Sequence, residues 1–305
     1  MSDLAIVIPA YKADFLEQAL KSLASQTCKD FTLYVGDDAS PDNIKCIVDK
    51  YINCIDLYYC RFNENIGGRD LVAQWERCIS LTQSEKWIWL FSDDDEMDSN
   101  CVEKFYETIH QFPGYNLYHF DVNVINERGD VILKSRFPDT IGCRKFYISK
   151  LRGNLSSYVV EYIFSRQCYD TCKGFKKFDL AWGSDDATWI DFGKGKGIKT
   201  IGETYVRWRK SNVNISPINT DINIVKRKLN SNISFIKWAR NQFDGGLCQI
   251  DLRICEITWF CTNLIKYRDS LKREDVSYYL RLLCGENIIL LIVSFFYYNF
   301  RIWKD

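Results

Sequence analysis

The sequence predicts an α/β fold: a mostly parallel, Rossmann-like central sheet flanked by helices, with a helical extension at the C-terminal end. Three observations carry the prediction. Short apolar runs alternate with helical patterns through the first 112 residues, each run stops at a polar or acidic turn, and the apolar spacing turns helical from about residue 220. The expected division is an α/β domain over 1–218, in halves 1–112 and 113–218, and a helical extension over 219–305.

Leu4 to Ile8 is the first apolar run, stopped by Pro9. Asp14 opens a helix with Leu16, Ala19, Leu20 and Leu23 on one face, and Glu17 stands where a capping box would put it. Phe31 to Val35 reads as the second strand, Asn43 to Tyr51 as a helix, and Leu57 to Phe62 as the third strand. A turn over Asn63 to Gly68 precedes a helix with Val72, Trp75, Cys78 and Ile79 inward. Trp87 to Phe91 is the fourth strand, and a helix follows through Val102, Phe105 and Ile109. Beyond residue 113 the expected pieces are a hairpin of Leu117–Ile125 and Val131–Leu133, a strand over Tyr158–Phe164, a short helix over Gly183–Phe192 and an extended Ile198–Arg209. The tail presents Ile222, Val225, Leu229, Ile233 and Ile236 as one helical stripe. Ile288 to Tyr298 is apolar apart from Ser294, too short for the roughly 20 residues of a spanning helix, and reads as a buried helix. Peripheral attachment to a membrane surface, with Arg301, Trp303 and Lys304 alongside, is the other reading.

Composition narrows the class. The 305 residues suffice for a large core, and 40 Lys+Arg against 40 Asp+Glu give no basic excess of the kind nucleic-acid binders show. Only 16 Gly and 5 Pro beside 15% aromatics exclude disorder and collagen-like repetition. Thirteen cysteines, an odd number without a C-x-x-C pair, read as reduced and mostly buried, which predicts a cytoplasmic protein rather than a disulfide framework or zinc site. The N-terminus has no basic stretch followed by an apolar one, which fits that expectation.

Right-handed crossovers bring parallel strand ends to one edge, where open α/β sheets bind ligands. Tyr11, Asp38, Gly67 and Asp94 are therefore expected to meet, though far apart in sequence. Ser92-Asp93-Asp94-Asp95 is either a divalent-cation site or an acidic turn before a helix. Gly36-Asp37-Asp38-Ala39-Ser40 is either a base- or ribose-binding carboxylate or an Asx turn. Pro9-Ala10-Tyr11 offers an aromatic face for stacking, or a core tyrosine; the turn lacks G-x-G-x-x-G, and the chain lacks a P-loop. Ser184-Asp185-Asp186 is either a helix start or a general base near the metal. Arg69 after Asn65-Ile66-Gly67-Gly68, and Arg207-Trp208-Arg209-Lys210, are candidate cations for a diphosphate or ordinary surface.

The series Val7-Ile8-Pro9-Ala10-Tyr11, Ser25-Gln26-Thr27, Val35-Gly36-Asp37-Asp38-Ala39-Ser40, Asn65-Ile66-Gly67 and Ser92-Asp93-Asp94-Asp95 resembles the family-two inverting glycosyltransferases of the GT-A fold. The match is close over about 4–125, looser to about 216 and absent in the tail. The resemblance implies a nucleoside diphosphate sugar, a UDP-sugar by expectation, bound by the 1–112 half. The acceptor side would fall to 113–218. Pro9, Ala10, Tyr11 and Asp38 would hold base and ribose, with Gly68 and Arg69 beside the donor and Asp93 toward the ribose. Magnesium or manganese would sit on Asp94 or Asp95, and the family's catalytic base falls on Asp186, with Asp185 in the preceding acidic position. The implied acceptor is a saccharide, lipid-linked or other hydroxyl in cell-surface glycan synthesis, with no nucleic-acid partner. The C-terminal helices are candidates for peripheral contact at the inner membrane face. A sugar-phosphate nucleotidyltransferase and a non-catalytic nucleotide or carbohydrate binder are the competing expectations; Pro9-Ala10-Tyr11, in place of a Gly-rich basic loop, weighs against the first.

Overall fold

A computed structural model describes residues 2–211, 221–243 and 249–304. The first part runs β1 (Leu4–Ala10), α1 (Leu16–Ala24), β2 (Thr32–Asp37), α2 (Ile44–Val48), β3 (Leu57–Arg61), α3 (Leu71–Ile79), β4 (Trp87–Leu90), β5 (Glu96–Met97) and α4 (Cys101–Gln111). The second runs β6 (Leu117–Ile125), β7 (Val131–Ser135), β8 (Thr140–Ile141), α5 (Cys143–Leu151), β9 (Tyr162–Ser165), α6 (Arg166–Thr171), α7 (Ser184–Phe192) and β10 (Ile198–Arg209). Four helices follow: α8 (Ile222–Phe243), α9 (Gln249–Lys266), α10 (Arg273–Cys284) and α11 (Ile288–Lys304).

The strands form one sheet in the order β3-β2-β1-β4-β9-β6-β10-β5, with β7 on β6 and β8 on β10. β1 pairs in parallel with β2 and β4, and β2 with β3, so the parallel expectation holds for β1 to β4, whereas the short β5 pairs antiparallel with β10. β9 then enters antiparallel against both β4 and β6, which makes the whole sheet mixed. Its parallel strands are apolar on both faces: Leu4, Ile6 and Ile8 join Leu16, Leu20 and Leu23 of α1 on one side, while Ala5 and Val7 meet Val72, Trp75 and Cys78 of α3 on the other. Two layers of helix therefore cover the sheet, and the carboxyl ends of β1, β2 and β4 are left to carry the polar turns.

Several local expectations change. The capping box at Asp14 does not form; α1 begins after Phe15 without a side-chain cap, and Glu17 instead pairs with Lys50 at 3.0 Å. The strand expected over Tyr158–Phe164 is a 3-10 turn at Val159–Glu161 followed by a strand only from Tyr162. The tail stripe holds from Val225 onward, with Val225, Leu229, Ile233 and Ile236 all buried, while Ile222 at its start is only half-buried. The fully buried reading of the last helix is not: Ile289 and Phe296 are each 74% exposed, while Ser294 on the opposite side is fully buried. Among the described residues no helix is long and apolar enough to cross a membrane, and every cysteine is a free thiol. The boundary expected at residue 218 lies outside the described residues.

Candidate active site

The turn after β2 is built by two aspartates with different tasks. Asp37 is fully buried and accepts from Ser40 N (2.8 Å), Tyr59 Oη (2.6 Å) and Arg61 Nη1 (2.6 Å). Ser40 Oγ in turn donates to the Tyr11 carbonyl at 2.5 Å, joining this turn to the one after β1. Asp38 reaches the third turn: its Oδ1 accepts from Ile66 N (2.9 Å), its Oδ2 from Gly67 N (2.8 Å), and Arg77 pairs with it as well. Gly67 is required there, because a Cβ would come within 2.6 Å of Asp38 Oδ2. Asp38, expected to hold base or ribose, fixes the backbone of the 65–68 turn with both carboxylate oxygens.

The acidic run after β4 splits in the same way. Asp93, expected to face the ribose, accepts through Oδ2 from Tyr11 N (2.8 Å) and Lys12 N (3.0 Å), so its carboxylate braces the β1 turn. Burial, then the neighbouring Asp94 charge, push the Asp93 carboxyl up to about 6. Asp95 is 1% exposed and accepts from Arg209 N at 2.7 Å. Burial, again followed by Asp94, holds its carboxyl well above the usual range. Asp94 is half-buried, and among the described residues its carboxylate accepts one hydrogen bond, from Ser92 Oγ at 2.8 Å. No group of three or more His, Cys, Asp or Glu among the described residues could hold a metal. Asp94 alone is a single hard oxygen donor; magnesium takes one or two carboxylates and completes its shell with substrate phosphates.

Pro9, Ala10, Tyr11, Asp38 and Gly68 line one cleft of about 910 Å³, together with Asp93, Asp94, Asp95 and Asp185. That size suits a drug- or nucleotide-sized ligand. Two expected residues are not in its lining. Arg69 is exposed and pairs with Glu64 at 3.2 Å. Asp186 pairs with Lys150 of α5 at 3.1 Å, and its Oδ1 is buried without a hydrogen-bond partner among the described residues. The first turn of α7 thus turns Asp185 to the cleft and Asp186 toward α5. The Asp185 carboxyl is raised by burial and then by the Asp186 charge, with Lys150 opposing both.

The arginines of the 207–210 segment are also committed elsewhere. Arg207 binds Asp98 at 2.8 Å; Arg209 is 2% exposed, gives its Nε to the Asp94 carbonyl at 2.9 Å and pairs with Glu96. Trp208 between them does line the cleft and stacks on Tyr158, ring centroids 4.3 Å apart. Sequence reasoning passed over Lys150, Glu161 and Tyr158. Glu161 is fully buried with neither carboxylate oxygen hydrogen-bonded among the described residues, and burial holds its carboxyl well above the usual range, with Lys150 opposing. Nothing in the spacing around Lys150 or Glu161 signals a site, because only the packing of α5 against α7 and the turn before β9 gathers them.

A family model described as Glycosyl transferase family 2 matches residues 5–167. Poly(ribitol-phosphate) beta-N-acetylglucosaminyltransferase TarS of Staphylococcus aureus is 29% identical over 133 residues, 42% of this chain and 22% of that protein. A GalNAc(5)-diNAcBac-PP-undecaprenol beta-1,3-glucosyltransferase of Campylobacter jejuni is 23% identical over 205 residues, 64% of this chain and 61% of that protein. The chain thus spans about a fifth of the first relative and under two thirds of the second. The crystal structure of S. aureus TarS 1-349 in complex with UDP superposes with a TM-score of 0.64 at 15% identity, covering 96% of this chain and 81% of that one. The same fragment with UDP-GlcNAc gives 0.60 at 14% identity, covering 97% and 88%. These likenesses establish the GT-A fold. The family model covers more than half of the chain and includes the strand ends that carry Tyr11, Asp38 and Asp94, so the chain belongs to glycosyl transferase family 2.

Proposed function

We propose that this protein transfers a sugar from a nucleoside diphosphate sugar, a UDP-sugar, to an acceptor hydroxyl with inversion at the anomeric carbon. The observation that carries this is the meeting of Tyr11, Asp38, Asp94 and Asp185, from four separate stretches, on one cleft at the carboxyl edge of the parallel strands. The TarS fragment solved with UDP and with UDP-GlcNAc supports the choice of donor.

In this reading Pro9, Ala10 and Tyr11 line the base, and Asp38 with its 65–68 turn lies against base and ribose. Asp94 holds a magnesium or manganese ion; bound there, the ion supplies charge neutralisation for the diphosphate. Asp185 takes the role that the motif order gave to Asp186, because it is the acid of the pair that lines the cleft. The acceptor oxygen attacks the anomeric carbon as its proton passes to the Asp185 carboxylate. The new C–O bond forms as the bond to the diphosphate oxygen breaks, and the nucleoside diphosphate leaves with the electron pair. Such a base contributes about 10²- to 10⁴-fold in rate.

The acceptor is a glycan or lipid-linked hydroxyl, as the names of the two curated relatives suggest. The exposed Ile289, Ile292, Phe296 and Phe300 of α11 give a lipid-linked acceptor a reason to be met at a membrane surface. The deciding experiment is calorimetric titration of UDP with and without manganese, followed by UDP release from UDP-GlcNAc and UDP-glucose. Absence of UDP binding under both conditions would overturn the reading.

A further inference from the structure

The chain enters α7 through an unusual backbone. Leu180 (φ 59°), Ala181 (φ 55°) and Gly183 (φ 84°) are all left-handed. Leu and Ala seldom adopt this region, because Cβ crowds the following carbonyl oxygen, and such geometry persists only where the surroundings impose it. Two residues after Gly183 comes Asp185. The conformation of this segment therefore sets where the carboxylate emerges.

The imposing surroundings come from the C-terminal extension. Arg227 of α8 sets Nε and Nη2 at 2.8 and 2.6 Å from the two carboxylate oxygens of Asp179. One turn on, Ser231 Oγ donates to the Asp179 carbonyl at 2.8 Å. Another turn on, the Phe235 ring abuts Gly183 so closely that a Cβ there would lie 3.3 Å from Cγ. Lys228 places its ammonium 4.4 Å from the Trp182 ring centroid. Positions 227, 231 and 235 share one helix face. That face covers Asp179, Trp182 and Gly183, while Ser184 Oγ closes the turn from within by accepting from Phe178 N at 2.9 Å.

We infer that α8 is a positioning element for the transfer step: Arg227, Ser231 and Phe235 clamp the 179–183 segment and so fix Asp185 against the cleft. The inference rests on Asp185 being the base. It gives the extension a task in the reaction, although the family match ends at residue 167. Tyr11, Asp38 and Asp94 are carried by the turns after β1, β2 and β4, so donor binding is independent of the clamp. Loss of the clamp is then a loss of turnover, not of donor affinity.

The test uses the full chain and the variants R227A, S231A and R227A/S231A, with R227K as the conservative partner and V48A as a control. Val48 of α2 is buried in the core on the α1 side of the sheet, which holds no residue of α8, so V48A lowers stability without touching the clamp or the segment. UDP binding with manganese, UDP release from UDP-GlcNAc and amide hydrogen exchange are measured for each. For R227A/S231A the expected result is UDP affinity within about twofold, kcat lower by about ten- to a hundredfold, and faster exchange across 180–187. R227K recovers part of the kcat, and V48A leaves it unchanged. A folded double variant with wild-type kcat overturns the proposal, as does an equal kcat loss in V48A. Unaltered exchange across 180–187 overturns the clamp even if the wild-type chain turns over no donor. Faster exchange in a chain without transferase activity keeps the clamp and removes only the role assigned to Asp185.

Discussion

Lys150 Nζ lies 3.1 Å from Asp186 Oδ2, and this ion pair draws one of two adjacent acids away from the cleft that the other lines. Burial works against the Lys150 charge, but Asp186 and then Asp185 outweigh it and hold the ammonium above its usual range. The pair thereby keeps a cation close to the proposed base.

Asp185→Asn is expected to lower kcat by about 10²- to 10⁴-fold with donor affinity unchanged, and Asp186→Asn by much less. Steady-state UDP release alongside UDP titration separates the two. The larger loss in Asp186→Asn would return the base to that position.

The raised Asp185 carboxyl puts the acid limb of kcat/KM above the ordinary carboxylate range, since the base acts only when deprotonated. Lys150 stabilises the charged form, so Lys150→Met is expected to move that limb to still higher pH. A limb that stays put or moves down would show that Lys150 does not act on the base.

Asp94→Asn should abolish the enhancement of UDP binding by manganese while leaving metal-free binding within about twofold. Asp95→Asn should mainly lower the melting temperature, because Asp95 is buried against Arg209 N. Calorimetry and thermal unfolding of both variants distinguish ligand from support.

Gly67→Ala forces a Cβ toward Asp38 Oδ2, which is held by two backbone N–H groups and Arg77 and cannot yield cheaply. The expected cost is about 1–3 kcal/mol of stability, with weakened UDP binding. Denaturant unfolding and UDP titration check both; wild-type values would remove Asp38 from the support of that turn.

His119 is fully buried, with Nδ1 2.8 Å from the Phe120 carbonyl and Nε2 3.0 Å from Thr200 Oγ1. Burial lowers its pKa to about 4. The unfolded chain takes up the proton near 6.5 and the folded chain does not, so stability falls as pH drops from about 6.5 to 4, by up to about 3 kcal/mol. Urea unfolding across that range should show the slope in wild type and a shallower one in His119→Gln.

Much of the first half was legible because its signals are local. Apolar runs such as Leu4–Ile8 and Trp87–Phe91 become strands, and α1 buries Leu16, Ala19, Leu20 and Leu23 at the expected spacing. Right-handed crossovers then oblige Tyr11, Asp38 and Asp94 to meet at one edge, which needs no knowledge of side-chain contacts. The capping box at Asp14 and the strand at Tyr158 misled because a local pattern was overruled by longer-range partners. Glu17 has Lys50, and the chain must turn at Val159–Glu161 before β9 can enter between β4 and β6.

The amino-acid order alone determined the fold, the edge and the set of acids, since periodicity and strand polarity are properties of neighbours along the chain. It left undetermined which acid of Asp185-Asp186 lines the cleft, that Asp95 supports where Asp94 stands open, and that Arg207 and Arg209 turn to Asp98 and Glu96. Those choices depend on charges and backbone brought in from more than a hundred residues away, or from a helix such as α5 that has no motif. Adjacent residues of like chemistry become different only when packing gives each a different partner.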